Sequence, residues 1–234
     1  MRGKFQQFKS SYFFYSFCRD KVAMASFFVL MIFFALALAA PWISPMDPYD
    51  SQNIDIMNSE IPPMWMPGGV SEFPLGTDNQ GRDMLSTMLY GLRTSIIIGL
   101  GAVVLQGVIG VVVGLMAGYI GGKTDAVLMR LADIQFSFPY LMVAIFMSAI
   151  FQVMFGLGSF ERLAIPLLTI IIGLSNWPMF ARTIRAAVMG EKNKEYVEAA
   201  KVIGLPRRVI MFRHVLPNAL TSVMVISTIQ VANA

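Results

Sequence analysis

Residues 195–218, EYVEAAKVIGLPRRVIMFRHVLPN, decide how this chain is read. The stretch joins helix-forming residues to a run of charge, and it lies between two apolar segments that are each able to cross a bilayer. Asn193 is placed to cap a helix whose first turn carries Glu195, an acid at the positive end of the helix dipole. Gly204 follows the last helix-forming residues, where a C′ glycine is expected, and Pro206 then opens a second helix. The expectation is a helix of about 10 residues, roughly 15 Å long, a sharp turn, and a basic helix entering the membrane. Ala199 and Ala200 leave one face nearly bare, so that another surface can approach closely. On its residues alone, the stretch is equally an ordinary loop between two membrane helices.

The totals place the chain in a membrane. Of 234 residues 56% are hydrophobic and only 14% charged, whereas a soluble domain carries about 25% charged residues; the mean hydropathy is +0.64. One cysteine, Cys18, rules out an internal disulfide framework and a multi-cysteine metal site, and one histidine rules out His-rich metal chemistry. The pI of 9.3 does not point to nucleic acid, because the basic residues are spread over the loops between apolar runs.

Five such runs are legible. Residues 1–21 hold Arg2, Lys4, Lys9, Arg19 and Lys21 among aromatics, with Phe5, Phe8 and Tyr12 at helical spacing. This segment either lies along the membrane surface or is a partly ordered tail. Val22–Ala40 gives 19 uncharged residues, enough for a core of about 30 Å; Ala37-Leu38-Ala39 mimics a signal-peptidase site, but the apolar run is long for a signal peptide and is read as a retained helix. From Pro41 to Asp83 the chain is acidic and proline-rich, with Arg82 its single basic residue, and regular structure is not expected through much of it. Asp78-Asn79-Gln80-Gly81 reads as a turn, followed by an amphipathic helix from Asp83; Asn79-Gln80-Gly81-Arg82 lacks the alternating oxygen ligands of a calcium loop.

Thr94–Ile120 is the second run, with Gly110, Gly114 and Gly118 every four residues, a flat face for close helix packing. Its neighbour is in this chain or in a partner subunit, and the ridge serves packing or gating. Gly121-Gly122-Lys123-Thr124 ends like a phosphate-binding loop, but Ala117 stands where that motif needs glycine, and a membrane helix precedes it instead of a strand. Nucleotide binding here is rejected. Ile134–Phe160 is the third run, started or kinked by Pro139; Glu161-Arg162 marks a turn, and Leu163–Ala181 is the fourth. Asn176 interrupts that run and is either a packing polar group or a pathway ligand. Val215–Ala234 is the fifth.

Fifteen of the 18 lysines and arginines fall in the N-terminal segment, the loop after Ile120 and the stretch from Arg182 to Arg213. The positive-inside rule puts these on the cytoplasmic side, the N-terminus included. Four crossings then separate the N-terminus from residues 195–218, so both lie on that side.

The motif Glu198-Ala199-Ala200, three residues, Gly204, nine residues, His214-Val215-Leu216-Pro217 resembles the EAA loop of ABC-importer permeases. The family's usual form has an aliphatic residue where this chain has His214, and the variant Arg213-His214-x-Leu216-Pro217-Asn218 is similar to the peptide/nickel branch. Leu75-Gly76-Thr77-Asp78, Gly81-Arg82-Asp83, Ser86, Tyr90-Gly91, Arg93 and Ser95 resemble the same branch, as does Ser137-Phe138-Pro139-Tyr140-Leu141. The resemblance runs from about residue 20 to the end. Family members ordinarily continue into a further outside loop and a sixth membrane helix, whereas this chain stops at the fifth.

The resemblance implies an all-α, polytopic membrane bundle of five transmembrane helices with a cytoplasmic coupling helix. Residues 1–80 hold the tail, first membrane helix and outer loop; residues 81–234 hold the permease domain, with the coupling loop at about 190–217. It implies a multi-pass permease subunit of an ATP-driven importer in a bacterial inner membrane, similar to the second permease subunit of dipeptide, oligopeptide or nickel systems. A nickel or other small-solute importer, and a truncated, non-transporting scaffold, are the alternatives. Implied partners are a homologous permease, two ATPase subunits, an external substrate-binding protein and membrane lipids. ATP and magnesium would be bound by those ATPases, with no cofactor or metal on this chain. The coupling contacts would come from Glu195, Tyr196, Glu198, Ala199, Ala200, Gly204, Leu205 and Pro206. A membrane enzyme would gather ionisable residues at one depth of its spans, which contain none.

Overall fold

A computed structural model describes residues 17–50 and 54–233; the stretch around Phe5, Phe8 and Tyr12 lies outside them. It is helical without a named strand among the described residues, and divides into two compact units, residues 1–96 and 97–234. Four helices are long and apolar enough to cross a membrane, and five spans result if a bent helix pair counts as one.

In the first unit, helix α1 (Lys21–Ile43) is capped by Asp20, whose carboxylate accepts from the backbone N–H of Val22 at 2.9 Å and Ala23 at 3.2 Å. It runs through Pro41, three residues beyond the expected end of the apolar run. The outer loop that follows has almost no regular structure, as its prolines require, but it is tied together. Thr77 donates its hydroxyl to the Asn58 carbonyl and accepts from the Ile61 N–H at 2.9 Å, while its own N–H donates to the Ile61 carbonyl at 3.0 Å. Asp78 turns the chain as expected, accepting from the N–H groups of Gln80 at 2.9 Å and Arg82 at 3.0 Å. Gly81 has φ +79°, and a Cβ there would lie 1.9 Å from the Asp55 carbonyl oxygen, so only glycine closes this turn. Asp83, fully buried, then starts helix α2 (Met84–Ile120) by accepting from the Ser86 N–H at 2.7 Å and hydroxyl at 2.6 Å. The amphipathic helix and the second span are thus one helix of 37 residues, about 55 Å long.

In the second unit, α2 packs along α5 (Leu157–Glu191). A Cβ on Gly110 would meet the Phe180 Cβ at 2.3 Å, one on Gly114 the Ala181 carbonyl oxygen at 2.4 Å, and one on Gly118 the Arg185 carbonyl oxygen at 2.8 Å. The glycine face therefore packs on backbone of this same chain. The contacts advance together, Gly101 beside Thr169 and Gly118 beside Val188, so the two helices run parallel. The last helix, α7 (Leu216–Asn233), runs the other way: Leu115 clusters with Val215 and Ala219, and Val103 with Ile226.

The return between α2 and α5 differs from the expected loop and single span. Residues 122–136 form helix α3 (Gly122–Phe136), and α4 (Tyr140–Phe155) follows after a 75° bend. Pro139 causes the break, because it has no N–H and disfavours helical backbone at Phe138. Arg185 pairs both guanidinium arms with Asp125, and Arg182 bonds Asp133 at 2.6 Å while lying 4.7 Å over the Phe136 ring, fastening α3 to α5. Glu161-Arg162 is not a turn. The chain reverses at Gly156, φ +79°, and α5 is helical through both residues and past Ala181 to Glu191. Pro178 lies inside α5, so its missing N–H interrupts one rung and does not end the helix.

Two outcomes follow. Gly114→Ala should cost about 1–3 kcal/mol through overpacking and lower Tm in detergent, whereas Gly91→Ala, where a Cβ meets nothing within 4 Å, should not; equal Tm values would remove the close-packing account. Burial raises the Asp78 carboxyl, but the N–H donors of Arg82 and Gln80 and the Arg82 guanidinium outweigh it and leave it below its ordinary 3.8. Its contribution is therefore present above pH 3.8 and lost as pH falls through the depressed value. Hydrogen exchange across residues 55–83 should accelerate with acid in that range, and Asp78→Asn should flatten the dependence.

Candidate functional site

Helix α6 (Glu195–Val202) sits where the C-terminal ends of α2 and α5 meet the start of the last helix. Its inner face is fixed: Val197 and Ala200 are buried in one cluster with Leu115, Ile184, Val188, Ile210, Val215 and Ala219. Three of the membrane-crossing helices thus share a core with this eight-residue helix.

Both ends of α6 are built by local sequence. The N-cap is Lys194, not Asn193, and no side chain caps it; the acids Glu195 and Glu198 occupy the first turn, where they oppose the helix dipole. At the other end Gly204 takes φ +81°, donating its N–H to the Lys201 carbonyl at 3.0 Å, and Leu205 donates to the Ala200 carbonyl at 3.2 Å. This pairing is a Schellman motif. It carries the usual apolar contact, with Leu205 half-buried against the cluster that holds Ala200. Pro206 caps the following helical turn, Arg207–Val209. That turn continues through a π-helical stretch, Ile210–Val215, into α7, so the last helix begins at Arg207 and not at Val215. The wider π geometry carries the helix into Pro217, which has no N–H to give.

Tyr196 pins the corner. Its hydroxyl donates to Glu191 at 2.7 Å and accepts from the Asn218 amide at 3.0 Å, while Asn218 also donates to the His214 carbonyl at 3.0 Å. One side chain therefore joins the end of α5, α6 and the start of α7. Burial, reinforced by the bond to Glu191, raises the Tyr196 hydroxyl above its ordinary value; the bond to Glu191 likewise raises the Lys194 ammonium.

The outward face is made of Glu195, Glu198, Ala199, Val202 and Ile203, all exposed. Glu198 is paired with Lys201 at 2.6 Å. Val202 is 87% and Ile203 76% exposed, beside charged residues and away from the apolar spans. These two aliphatics were not singled out by sequence. Their signal was available, because they follow Lys201 directly and stand just before the glycine that ends the helix. Ala200 corrects the bare-face expectation: it faces the chain's own core, and of the alanine pair only Ala199 is open. Gly110, Gly114 and Gly118 pack against α5, as described above. Asn176 is half-buried on α5, apart from the corner. Two further buried polar residues, Gln106 and Gln230, pair across α2 and α7, with the Gln230 amide 3.3 Å from the Gln106 carbonyl oxygen; each stood in an uncharged run as visibly as Asn176.

The model of the binding-protein-dependent transport system inner membrane component matches residues 110–234, which contain α5, α6, α7 and the C-terminal end of α2 that α6 packs on. The chain belongs to that family. A second model, the N-terminal transmembrane domain of oligopeptide transport permease C, matches residues 10–63. The chain is 35% identical to the di/tripeptide transport system permease protein of Pseudomonas aeruginosa over 95% of its own length and 69% of that protein's. It is 33% identical to a dipeptide permease of Haemophilus influenzae, covering 95% and 71%, and 36% identical to an oligopeptide permease of the same organism, covering 92% and 64%. It is thus a multi-pass inner membrane protein and a transport subunit of such a system.

Tyr196→Phe should loosen the corner by about 1 kcal/mol, seen as faster hydrogen exchange over residues 194–204 with helix content unchanged; unaltered exchange would mean that the hydroxyl does not hold it.

Proposed function

We propose that this permease imports di- or oligopeptides by alternating access, driven by ATP hydrolysis on separate subunits that grip α6. The carrying observation is that α6 has one face locked into the core of α2, α5 and α7 and the other exposed. A push on the exposed face is passed to the spans as rigid-body motion. Glu195 and Glu198 offer polar contacts, Ala199 lets a surface come close, and Val202 with Ile203 supply apolar area worth about 1.5–3 kcal/mol per side chain when buried. Gly204 sets the turn, with Leu205 and Pro206 directing the chain back into the last helix.

The peptide cargo rests on the relatives' names. The positive-inside rule supports a cytoplasmic corner and N-terminus, since Lys123, Arg130 and the basic residues from Arg182 to Arg213 gather at this end. The partners are a second, homologous permease, two ATPases holding ATP and magnesium, and an external binding protein. The chain makes and breaks no bonds; each state of the ATPase pair must favour one facing of the pore, which is the differential affinity that any driven switch requires.

Gly204→Asp forces a side chain onto a backbone at φ +81°, and Glu198→Lys reverses an exposed charge. Both should leave membrane insertion intact while peptide uptake by the assembled transporter falls to background. Normal uptake in the two variants sinks the coupling role.

A further inference from the structure

A cavity of about 550 Å³ opens beside α6, lined by Tyr119, Ile120, Lys192, Lys201, Leu205, Arg207 and Ile210. We infer that it is a binding site for the phosphate headgroup of an anionic phospholipid, with the acyl chains laid along α2. Glu195, Glu198, Ala199, Val202 and Ile203 of the outward face do not line it; the cavity uses the flank of α6 that carries Lys201.

Three cations converge on one cavity. Lys192 donates to the Gly118 carbonyl at 2.8 Å, closing the C-terminal end of α2, and keeps further N–H donors. Lys201 is engaged by Glu198 at 2.6 Å, the acid on the same short helix. Arg207 is exposed and has no acidic partner among the described residues. Against these three cations stand Glu198, bonded to Lys201, and Asp125, which feels Lys192 but is itself paired with Arg185; the positive surplus suits a phosphodiester, which accepts hydrogen bonds from ammonium and guanidinium groups. The volume lies in the range of small-ligand sites.

The apolar half of the wall favours a lipid over free phosphate. Ile120, Leu205 and Ile210 offer a phosphate ion nothing, but they suit the glycerol end of an amphiphile. Ile120 also ends a stripe: Val104, Val108, Val112, Met116 and Ile120 are 39–65% exposed and recur every fourth residue along α2. In a membrane-crossing helix that stripe faces acyl chains, and it leads to the cations. Basic pockets between membrane helices at the bilayer surface are a recognised arrangement for anionic headgroups. The assignment does not depend on which side of the membrane the corner faces.

The test uses delipidated full-length chain in uncharged detergent, with thermal unfolding followed on adding phosphatidylglycerol, phosphatidylcholine or inorganic phosphate. Phosphatidylglycerol should raise Tm by roughly 5–10 °C at saturation, and phosphatidylcholine by much less. Arg207→Gln, and Lys201→Gln combined with Arg207→Gln, should lose at least half of that rise. Arg208→Gln with Arg213→Gln, exposed basic residues outside the lining, should keep it. Lys192 is left unchanged, because its loss would also uncap α2. Equal shifts with both lipids, or an undiminished shift in the cavity variants, would overturn the site. A shift with inorganic phosphate as large as with phosphatidylglycerol would overturn the lipid and leave free phosphate as the ligand.

Discussion

The structure rests on the absence of side chains along one face of α2. Gly110, Gly114 and Gly118 bring that helix onto the backbone of α5, with would-be Cβ distances of 2.3–2.8 Å that no other residue tolerates. In lipid there is little hydrophobic gain from joining two apolar helices, so close van der Waals packing must supply the attraction. That contact sets two helices parallel, and the return segment must therefore fold back between them. The bend at Pro139 and the reversal at Gly156 are the means. It also brings the C-terminal ends of α2 and α5 to one place, where Leu115, Ile184 and Val188 form the socket for Val197 and Ala200.

The corner built on that socket is stiff for reasons that differ along its length. Apolar burial holds the middle of α6, a left-handed glycine ends it, and Tyr196 bonds it to the helices on either side. A short helix of this kind would not persist alone in water; its order comes from the neighbours. Such order suits the coupling role proposed for α6, since a helix that frays passes on no displacement. The ion pairs of Arg182 and Arg185 to α3 extend the stiffness to the return segment, although partly exposed pairs contribute little energy by themselves.

The outer loop shows how far a motif can be explained locally. Thr77, Asp78, Gly81, Asp83 and Ser86 each make or permit a bond that closes the turn before α2 or starts that helix. Local pattern shows the turn at Asp78–Gly81, but not that Asp83 caps a helix of 37 residues. Similarly, Gly204 was legible as a helix stop because only glycine takes that φ without strain. Asn193 has the residue type of a cap but Lys194 holds that position, because a capping side chain is favoured by type but chosen by where the preceding helix releases the chain.

Sequence alone determined the membrane class, the number of apolar runs, the clustering of positive charge in particular loops, the glycine ridge and the place of α6. Each of these follows from composition or from a period that one helix displays by itself. Only the tertiary structure decided that the ridge meets α5 of the same chain, that Ala200 points inward while Val202 and Ile203 stand out, and that Gln106 meets Gln230. Helical period states which residues share a face, but a neighbour decides which face is covered. That neighbour lies up to 124 residues away in the chain, beyond the reach of any local pattern.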